Sequence, residues 1–288
     1  MDWGIKKNFL NKRLLPGVFL AVTLIGLLLY RQEIVFFVRD TTLTNIRPSA
    51  NDVDHPVCLD NIDTINDVGS AIQMGDSYFG GSAGNDLFCA KRAYEKALEI
   101  DYKANAHVLY QLGRIDFLEG KFSRAIFKFS RQVEYFGDIL PSVYYMLGLT
   151  YGYRATETES DEDWAEAEVS FEKYLELVPE SSWAITDLAW LYFSQGKFQE
   201  MKDLVKEGIK LYPEHPWLLN MYGLAHLNTG DPQSAYTYFK KSLYVAEGLS
   251  PTDWGMSYPG NDPQSWGKGL SEMKEAIQKN LTLAEKQI

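Results

Sequence analysis

The sequence predicts an all-α protein: a right-handed α-solenoid of about five helix-turn-helix repeats, with an N-terminal transmembrane helix and a C-terminal capping helix. Three observations support this prediction. An uncharged apolar run occupies residues 14–30, and a pattern with nearly constant spacing recurs through residues 68–249. After that pattern stops, residues 264–286 show the apolar periodicity of a single amphipathic helix.

The apolar run reads LLPGVFLAVTLIGLLLY, which is 17 positions without a charge. That length is at the short end of what spans a bilayer as a helix, and the stretch IVFFV at residues 34–38 extends it. Four basic residues precede the run. The positive-inside rule therefore predicts a basic cytoplasmic segment (1–13), a transmembrane helix (14–38) and an extracytoplasmic repeat domain. The expected location is the cell membrane, with a single pass.

A cleaved signal peptide is the alternative interpretation of this segment. Its apolar region is usually about 7–15 residues and ends with small residues before the cut. Here the run ends with Leu28, Leu29 and Tyr30, so a retained anchor is favoured. Residues 39–67 contain many Asp, Asn and Thr residues and two prolines, and are predicted to be a linker.

The recurring pattern has a small residue at one place in each unit. These residues are Gly113, Gly148, Ala189 and Gly223, at intervals of 35, 41 and 34 residues. The longest interval contains an acidic insert, TETESDED, which accounts for its excess length and is predicted to be a solvated loop. Gly120, Gly196 and Gly230 are expected to end first helices in the left-handed conformation.

The pattern resembles the tetratricopeptide repeat, a helix-turn-helix unit of about 34 residues. The family motif places a bulky residue, then Leu-Gly, Tyr, Ala, an aromatic residue and Pro. One unit carries it as Tyr144, Leu147, Gly148, Tyr151, Ala167, Phe171 and Pro179. The resemblance covers residues 68–249 and implies stacked hairpins, and residues 250–288 are predicted to be a loop and a capping helix.

In the tetratricopeptide family, alternate turns of the first helices line a concave surface that binds a protein or a peptide. The corresponding positions here are mostly aromatic. They are Tyr110, Arg114, Phe117, Tyr145, Leu149, Tyr153, Trp183, Trp190, Phe193, Trp217, Asn220 and Leu224. A variant of the family holds a C-terminal carboxylate with Lys and Asn, and this aromatic set does not support such a clamp. The alternative is that the rings pack between helices or under the chain's own C-terminal tail.

The net charge and the lack of catalytic motifs in the sequence argue against several classes of function. The chain has 28 Lys and Arg residues against 39 Asp and Glu residues, and a net charge of −11 at pH 7. Such a chain repels phosphate backbones, so nucleic acid is not an expected partner. No phosphate loop or G-x-S-x-G sequence occurs, and the four histidines share no metal-binding spacing. We therefore expect no catalytic residues, no metal site and no cofactor, and a protein that is not an enzyme.

The sequence contains two cysteines, Cys58 and Cys89. If the domain is exported, they are able to form one disulfide between the linker and the first hairpin. Two unpaired thiols are the alternative.

Two functions compete. The leading hypothesis is a membrane-anchored scaffold or adaptor that binds a protein or peptide in an aromatic concave groove. The alternative is a structural or assembly subunit of a membrane protein complex, with the groove filled by its own tail or by a neighbour.

Overall fold

The computed structural model describes residues 58, 61–80, 86–102, 105–256 and 266–288. The predicted basic segment, transmembrane helix and most of the linker lie outside these residues. Within the described part of the chain, no helix is both long enough and apolar enough to cross a membrane. The predicted repeats lie almost wholly within it.

Ten of the described helices form five hairpins, each with a first and a second helix. The first helices are α1 (Val68–Gly80), α3 (Ala106–Leu118), α5 (Ser142–Thr158), α7 (Ser182–Ser194) and α9 (Pro216–Asn228). The second helices are α2 (Leu87–Ile100), α4 (Phe122–Phe136), α6 (Asp161–Leu177), α8 (Phe198–Leu211) and α10 (Pro232–Glu247). Each second helix packs against its own first helix, and the first four also pack against the first helix of the next hairpin. The predicted helical-repeat fold is thereby confirmed.

Glycine ends the first helix of three hairpins, as the sequence predicts. Gly120, Gly196 and Gly230 have φ angles of 72°, 72° and 85°. In each turn the glycine N–H donates to the carbonyl oxygen three residues earlier, over 2.9, 3.1 and 3.3 Å respectively. The left-handed residue lets the chain reverse while the last carbonyls of the helix remain bonded, and a side chain there would be strained.

In four of the five hairpins, the small residue lies where the first helix meets an aromatic ring of its own second helix. A Cβ atom added to Gly148 would lie 2.8 Å from the ring of Phe171, which is 2% exposed. The same pairing joins Gly75 to Tyr94, Gly113 to Phe129, and Gly223 to Phe239. Glycine at this position permits the close approach of the paired helices, because any larger residue would occupy the space of the ring.

The acidic insert is helical, and the sequence-based prediction of a solvated loop is wrong. α5 runs to Thr158 and α6 begins at Asp161, so the insert lengthens both helices to 17 residues. The Ser160 side chain caps α6 by accepting a hydrogen bond from the N–H of Asp163 at 3.2 Å. Arg154 donates two hydrogen bonds of 2.6 and 2.7 Å to the Asp163 carboxylate. Acidic residues in a first helical turn are also favoured by the helix dipole.

Cys58 and Cys89 form a disulfide in the structure, with their Cα atoms 5.7 Å apart. Of the two alternatives left open by the sequence, the bonded pair is the one present. The bond joins residue 58 to α2 and closes a loop with a sequence separation of 31. Loop-closure entropy predicts that such a cross-link stabilises the fold by about 3–4 kcal/mol.

Two more helices, α11 (Pro251–Met256) and α12 (Trp266–Glu285), follow the repeats. The sequence predicted a loop where α11 lies. The chain divides into two compact units, and the larger one comprises residues 46–249 with 273–288. In that unit, one side of α12 is buried at helical spacing, at Met273, Ile277, Asn280 and Ala284. The last part of the chain therefore packs as a helix that buries one mostly apolar side.

Candidate functional site on the first helices

The predicted binding positions all lie on first helices, but they differ in burial. We call the surface formed by the first helices the first-helix face. Seven of the twelve positions keep part of their side chain exposed there: Tyr110, Arg114, Tyr145, Leu149, Tyr153, Trp183 and Trp190. The other five are buried: Phe117, Phe193, Trp217, Asn220 and Leu224. An open surface is therefore available mainly on α3, α5 and α7.

The densest group of half-exposed residues spans α5 and α7. Tyr145, Leu149 and Tyr153 recur every four residues on α5, and Trp183, Asp187 and Trp190 follow at spacings of four and three on α7. Helical spacing of this kind places side chains on one face. We call these six residues the central patch.

The two helices of the central patch approach closely beside a glycine. A Cβ atom added to Gly152 of α5 would lie 3.8 Å from Leu191 and 3.9 Å from Trp190 of α7. The ring of Trp190 also lies 6.2 Å from the ring of Trp164 of α6. Packing on two sides therefore fixes the indole of Trp190 while part of it stays exposed.

Asp187 is the member of the central patch that the sequence reasoning missed. Tyr145 donates a hydrogen bond from its hydroxyl to Asp187 Oδ2 at 2.6 Å, across 42 residues of sequence. The ring of Tyr145 is held by Phe171 and Tyr174 of α6, with centroid distances of 5.9 and 5.4 Å. A signal was present in the sequence, because Asp187 is the one charged residue in α7, SWAITDLAWLYFS.

The environment of Asp187 is unfavourable to its charge. Burial raises the pKa of Asp187 to about 6, and the hydrogen bond from Tyr145 counteracts only part of that shift. Burial and the nearby Asp187 charge also raise the pKa of Tyr145 and Tyr153. At neutral pH the central patch therefore holds an ionised carboxylate beside two neutral phenols.

We expect Asp187→Asn to stabilise the protein at pH 7.5 but not at pH 3.5. Between pH 3.8 and about 6, native Asp187 holds a proton that the unfolded chain has lost, so stability falls as the pH rises through this window. The asparagine stays neutral and still accepts the Tyr145 hydrogen bond. The gain in the free energy of unfolding at pH 7.5 should be about 2–3 kcal/mol.

Urea unfolding at both pH values measures this effect. Asp203→Asn, on an exposed turn of α8, is the matched control and should change stability by less than about 0.5 kcal/mol at either pH. A loss of stability in Asp187→Asn at pH 7.5, or an equal gain at both pH values, would show that burial of the ionised Asp187 carboxylate does not destabilise the fold.

Two predicted groove residues, Phe117 and Phe193, belong to the core at hairpin turns and not to an open surface. The ring of Phe117 lies 5.8 Å from Phe122, and the ring of Phe193 lies 5.8 Å from Phe198. Each residue is 7% exposed. Both rings stand near the end of a first helix, where the start of the second helix covers them, so their assignment to the binding surface is corrected.

Trp217, Asn220 and Leu224 on α9 are also buried, with exposures of 9%, 0% and 4%. The amide of Asn280 on α12 donates a hydrogen bond of 3.0 Å to Asn220 Oδ1. The C-terminal helix thus occupies the first-helix face at the last repeat, which was the alternative considered for these positions. The assignment of Trp217, Asn220 and Leu224 to an open binding surface is therefore corrected.

Arg114 and Tyr110 lie on α3, on the other side of the central patch along the chain. The guanidinium of Arg114 lies over the ring of Phe79, 4.6 Å from its centroid, and 5.8 Å from that of Tyr110. Arg114 also donates to Gln111 Oε1 at 2.9 Å. The guanidinium of Arg114 is therefore stabilised by two aromatic rings and an amide in the unbound chain.

The described residues contain no group of three or more His, Cys, Asp or Glu side chains that could hold a metal ion. What the central patch offers is half-exposed aromatic area with a single anionic group. Such a surface is suited to binding a side chain or a short chain segment.

Comparison with known proteins agrees with the fold. The family model described as tetratricopeptide repeat matches residues 184–215 and 218–248. No curated protein matches the chain. These matched segments comprise the hairpin of α7 and α8 and that of α9 and α10.

Several solved structures are similar to the chain. The MamA protein is 23% identical, with a TM-score of 0.54, over 64% of this chain and 96% of its own. YrrB, described as a TPR protein with an unusual peptide-binding site, is 19% identical, with a TM-score of 0.53, over 65% of this chain and 90% of its own. A thermophilic TPR protein of Thermus thermophilus is 15% identical, with a TM-score of 0.50, over 75% of this chain and 99% of its own. Residues 184–215 and 218–248 are thus tetratricopeptide repeats by sequence, and the chain has the fold of tetratricopeptide-repeat proteins.

Proposed function

We propose that this chain is a membrane-anchored interaction scaffold that binds a protein or peptide through the central patch, within a concave groove formed by its first helices. The observation that carries the proposal is the grouping of four half-exposed aromatic side chains and one carboxylate on α5 and α7. YrrB, which shares the fold, is described as having a peptide-binding site.

Aromatic side chains are suited to this task. They bury a large area, lose little conformational entropy and often contribute about 2 kcal/mol or more each to recognition. The packing of Trp190 and the bonding of Tyr145 to Asp187 hold the rings before a partner arrives. Preorganisation of this kind lowers the free-energy cost of binding.

We expect Trp190→Ala to weaken capture of the partner from native membranes by tenfold or more. The full-length chain is used as bait, and the amount of partner bound is measured over a range of bait concentrations. Truncation removes an exposed aromatic surface, and a tenfold loss corresponds to about 1.4 kcal/mol.

Lys173→Ala is the control, because Lys173 lies on α6 and pairs with Glu176 at 3.2 Å away from the central patch. It should bind as the wild type does. Helix content of Trp190→Ala should stay near that of the wild type. If Trp190→Ala captured the partner as the wild type does, the proposal that the central patch is the binding surface would be contradicted.

A structural or assembly subunit is the second candidate, and one observation favours it. The hydrogen bond from Asn280 to Asn220, which joins the C-terminal helix to the first helix of the last repeat, supports this candidate. If the whole face were filled in this way, partners would bind elsewhere. Capture that is lost on deletion of residues 1–40 but insensitive to Trp190→Ala would favour the subunit, whereas the scaffold should still bind without its anchor.

The membrane anchor and the outward orientation of the repeats are part of the proposal. The basic residues before the apolar run support a cytoplasmic N-terminus. The disulfide between Cys58 and Cys89 supports an oxidising compartment for the repeats. We expect protease added to intact spheroplasts to remove the repeat domain, and full protection of that domain would contradict the orientation.

A further inference from the structure

Asp187, which is half-exposed on the first-helix face, differs from the buried carboxylates Asp116 and Asp163 in lacking a cationic partner. Asp116 is paired with Lys91 at 3.0 Å, and Asp163 with Arg154 at 2.6 Å. Among the described residues, no Lys, Arg or His side chain pairs with Asp187, which receives the neutral Tyr145 hydroxyl. Within the described part of the repeats, Asp187 is therefore an anion on the first-helix face without a cation paired to it.

The position of Asp187 places this anion between aromatic rings. Trp183 precedes it by four residues and Trp190 follows it by three, so both indoles share its side of α7. Tyr145 approaches it from α5, with its hydroxyl 2.6 Å from Asp187 Oδ2. A cation is attracted by aromatic faces as well as by a carboxylate, and both attractions strengthen where water is partly excluded.

We infer that the central patch recognises its partner through a Lys or Arg side chain, whose cationic group pairs with Asp187 while its stem lies against Trp183 and Trp190. The inference rests on the proposed function and specifies the chemistry of the segment that binds. The partner segment is thus a basic one.

Other occupants fit the same residues less well. A metal ion is a poorer fit, since the described residues contain no group of three or more His, Cys, Asp or Glu side chains that could hold one. A wholly apolar segment would cover Asp187 without neutralising it, and burying an unpaired charge is costly. An acidic segment would be repelled by Asp187 and by the net charge of −11.

The test uses a random heptapeptide library displayed on phage and selected against the full-length chain in detergent. The wild type should enrich peptides with Arg or Lys at one shared position, and Asp187→Asn should lose that enrichment. The best peptide should bind Asp187→Asn at least tenfold more weakly than it binds the wild type. Replacement of its arginine by citrulline, or of its lysine by norleucine, should weaken binding to the wild type by a similar factor and leave binding to Asp187→Asn unchanged.

Asp203→Asn, which makes the same chemical change on an exposed turn of α8, should select and bind as the wild type does. Enriched peptides that lack basic residues, or that bind Asp187→Asn as tightly as the wild type, would overturn the inference and leave the proposed function standing. Failure of the wild type to enrich any peptide would contradict the proposed peptide binding itself, and the inference with it.

Discussion

Gly148→Leu is expected to destabilise the repeats by about 3 kcal/mol or more. A Cβ atom at this position would lie 2.8 Å from two ring atoms of Phe171, closer than such atoms pack. The ring of Phe171 is nearly fully buried and cannot swing into solvent. It also lies 5.9 Å from the ring of Tyr145, so its displacement would disturb the hydrogen bond to Asp187.

Urea unfolding monitored by far-ultraviolet circular dichroism measures this change, and Gly152→Ala supplies a control on the same helix. A Cβ atom at Gly152 would make ordinary contacts of 3.8 Å or more. Alanine is the better helix former by about 1 kcal/mol, so this variant should be as stable as the wild type or slightly more stable. Equal unfolding midpoints for Gly148→Leu and the wild type would show that the assigned helix pairing is wrong.

Asp116→Asn is expected to cost about 3–5 kcal/mol, because it removes one partner from a buried ionic cluster. Asp116 of α3 is fully buried and is bonded by Lys91 of α2 at 3.0 Å and by Lys128 of α4. The two lysine side chains are only 14% and 15% exposed, so neither ammonium group is fully hydrated once the carboxylate is gone. The substitution therefore weakens the junction of two hairpins.

The pH dependence gives this prediction a second measurement. Burial alone raises the pKa of Asp116, but hydrogen bonds from Lys128 and Lys91 outweigh it and hold the pKa below its ordinary value of 3.8. Its stabilisation is therefore present above pH 3.8 and is lost as the pH falls through the lower, folded-state pKa. The difference in the free energy of unfolding between Asp116→Asn and the wild type should be largest at pH 7 and should become smaller below pH 3.8.

Asp63→Asn is the matched control, since Asp63 pairs with Arg92 at 2.9 Å but is 75% exposed. An exposed pair of this kind contributes at most about 1 kcal/mol. If Asp116→Asn lost no more stability than Asp63→Asn, the stabilising role of Asp116 in the buried ionic cluster would be contradicted.

The repeat pattern predicted the fold well because its determinants are local. A small residue facing an aromatic ring, and a glycine at three of the hairpin turns, are set by spacing within about 34 residues. Gly120 and Gly148 could therefore be assigned from the sequence alone. The acidic insert was misjudged, because Ser160 as a cap and the pairing of Arg154 with Asp163 stabilise helix where composition favours a loop.

The candidate site was less predictable because it depends on contacts between repeats. Repeat register placed Tyr145 and Trp190 on the correct helices, yet it gave no information on which positions α12 occupies. The contact from Asn280 to Asn220 spans 60 residues and has no local signal. The sequence reasoning did not single out Asp116. This residue occupies the position at which other repeats have Tyr151 and Tyr192. A charged residue at such a position indicates that an oppositely charged partner lies nearby.

Site-specific photocrosslinking tests most directly whether the central patch is the binding surface. A benzophenone amino acid is placed at Leu149, which is half-exposed in the central patch, or at Val169, which is 59% exposed on α6. In native membranes, we expect the chain substituted at Leu149 to cross-link to a discrete partner and the chain substituted at Val169 not to do so. Cross-links from Val169 alone, or from neither position, would contradict the proposal that the first helices bind the partner.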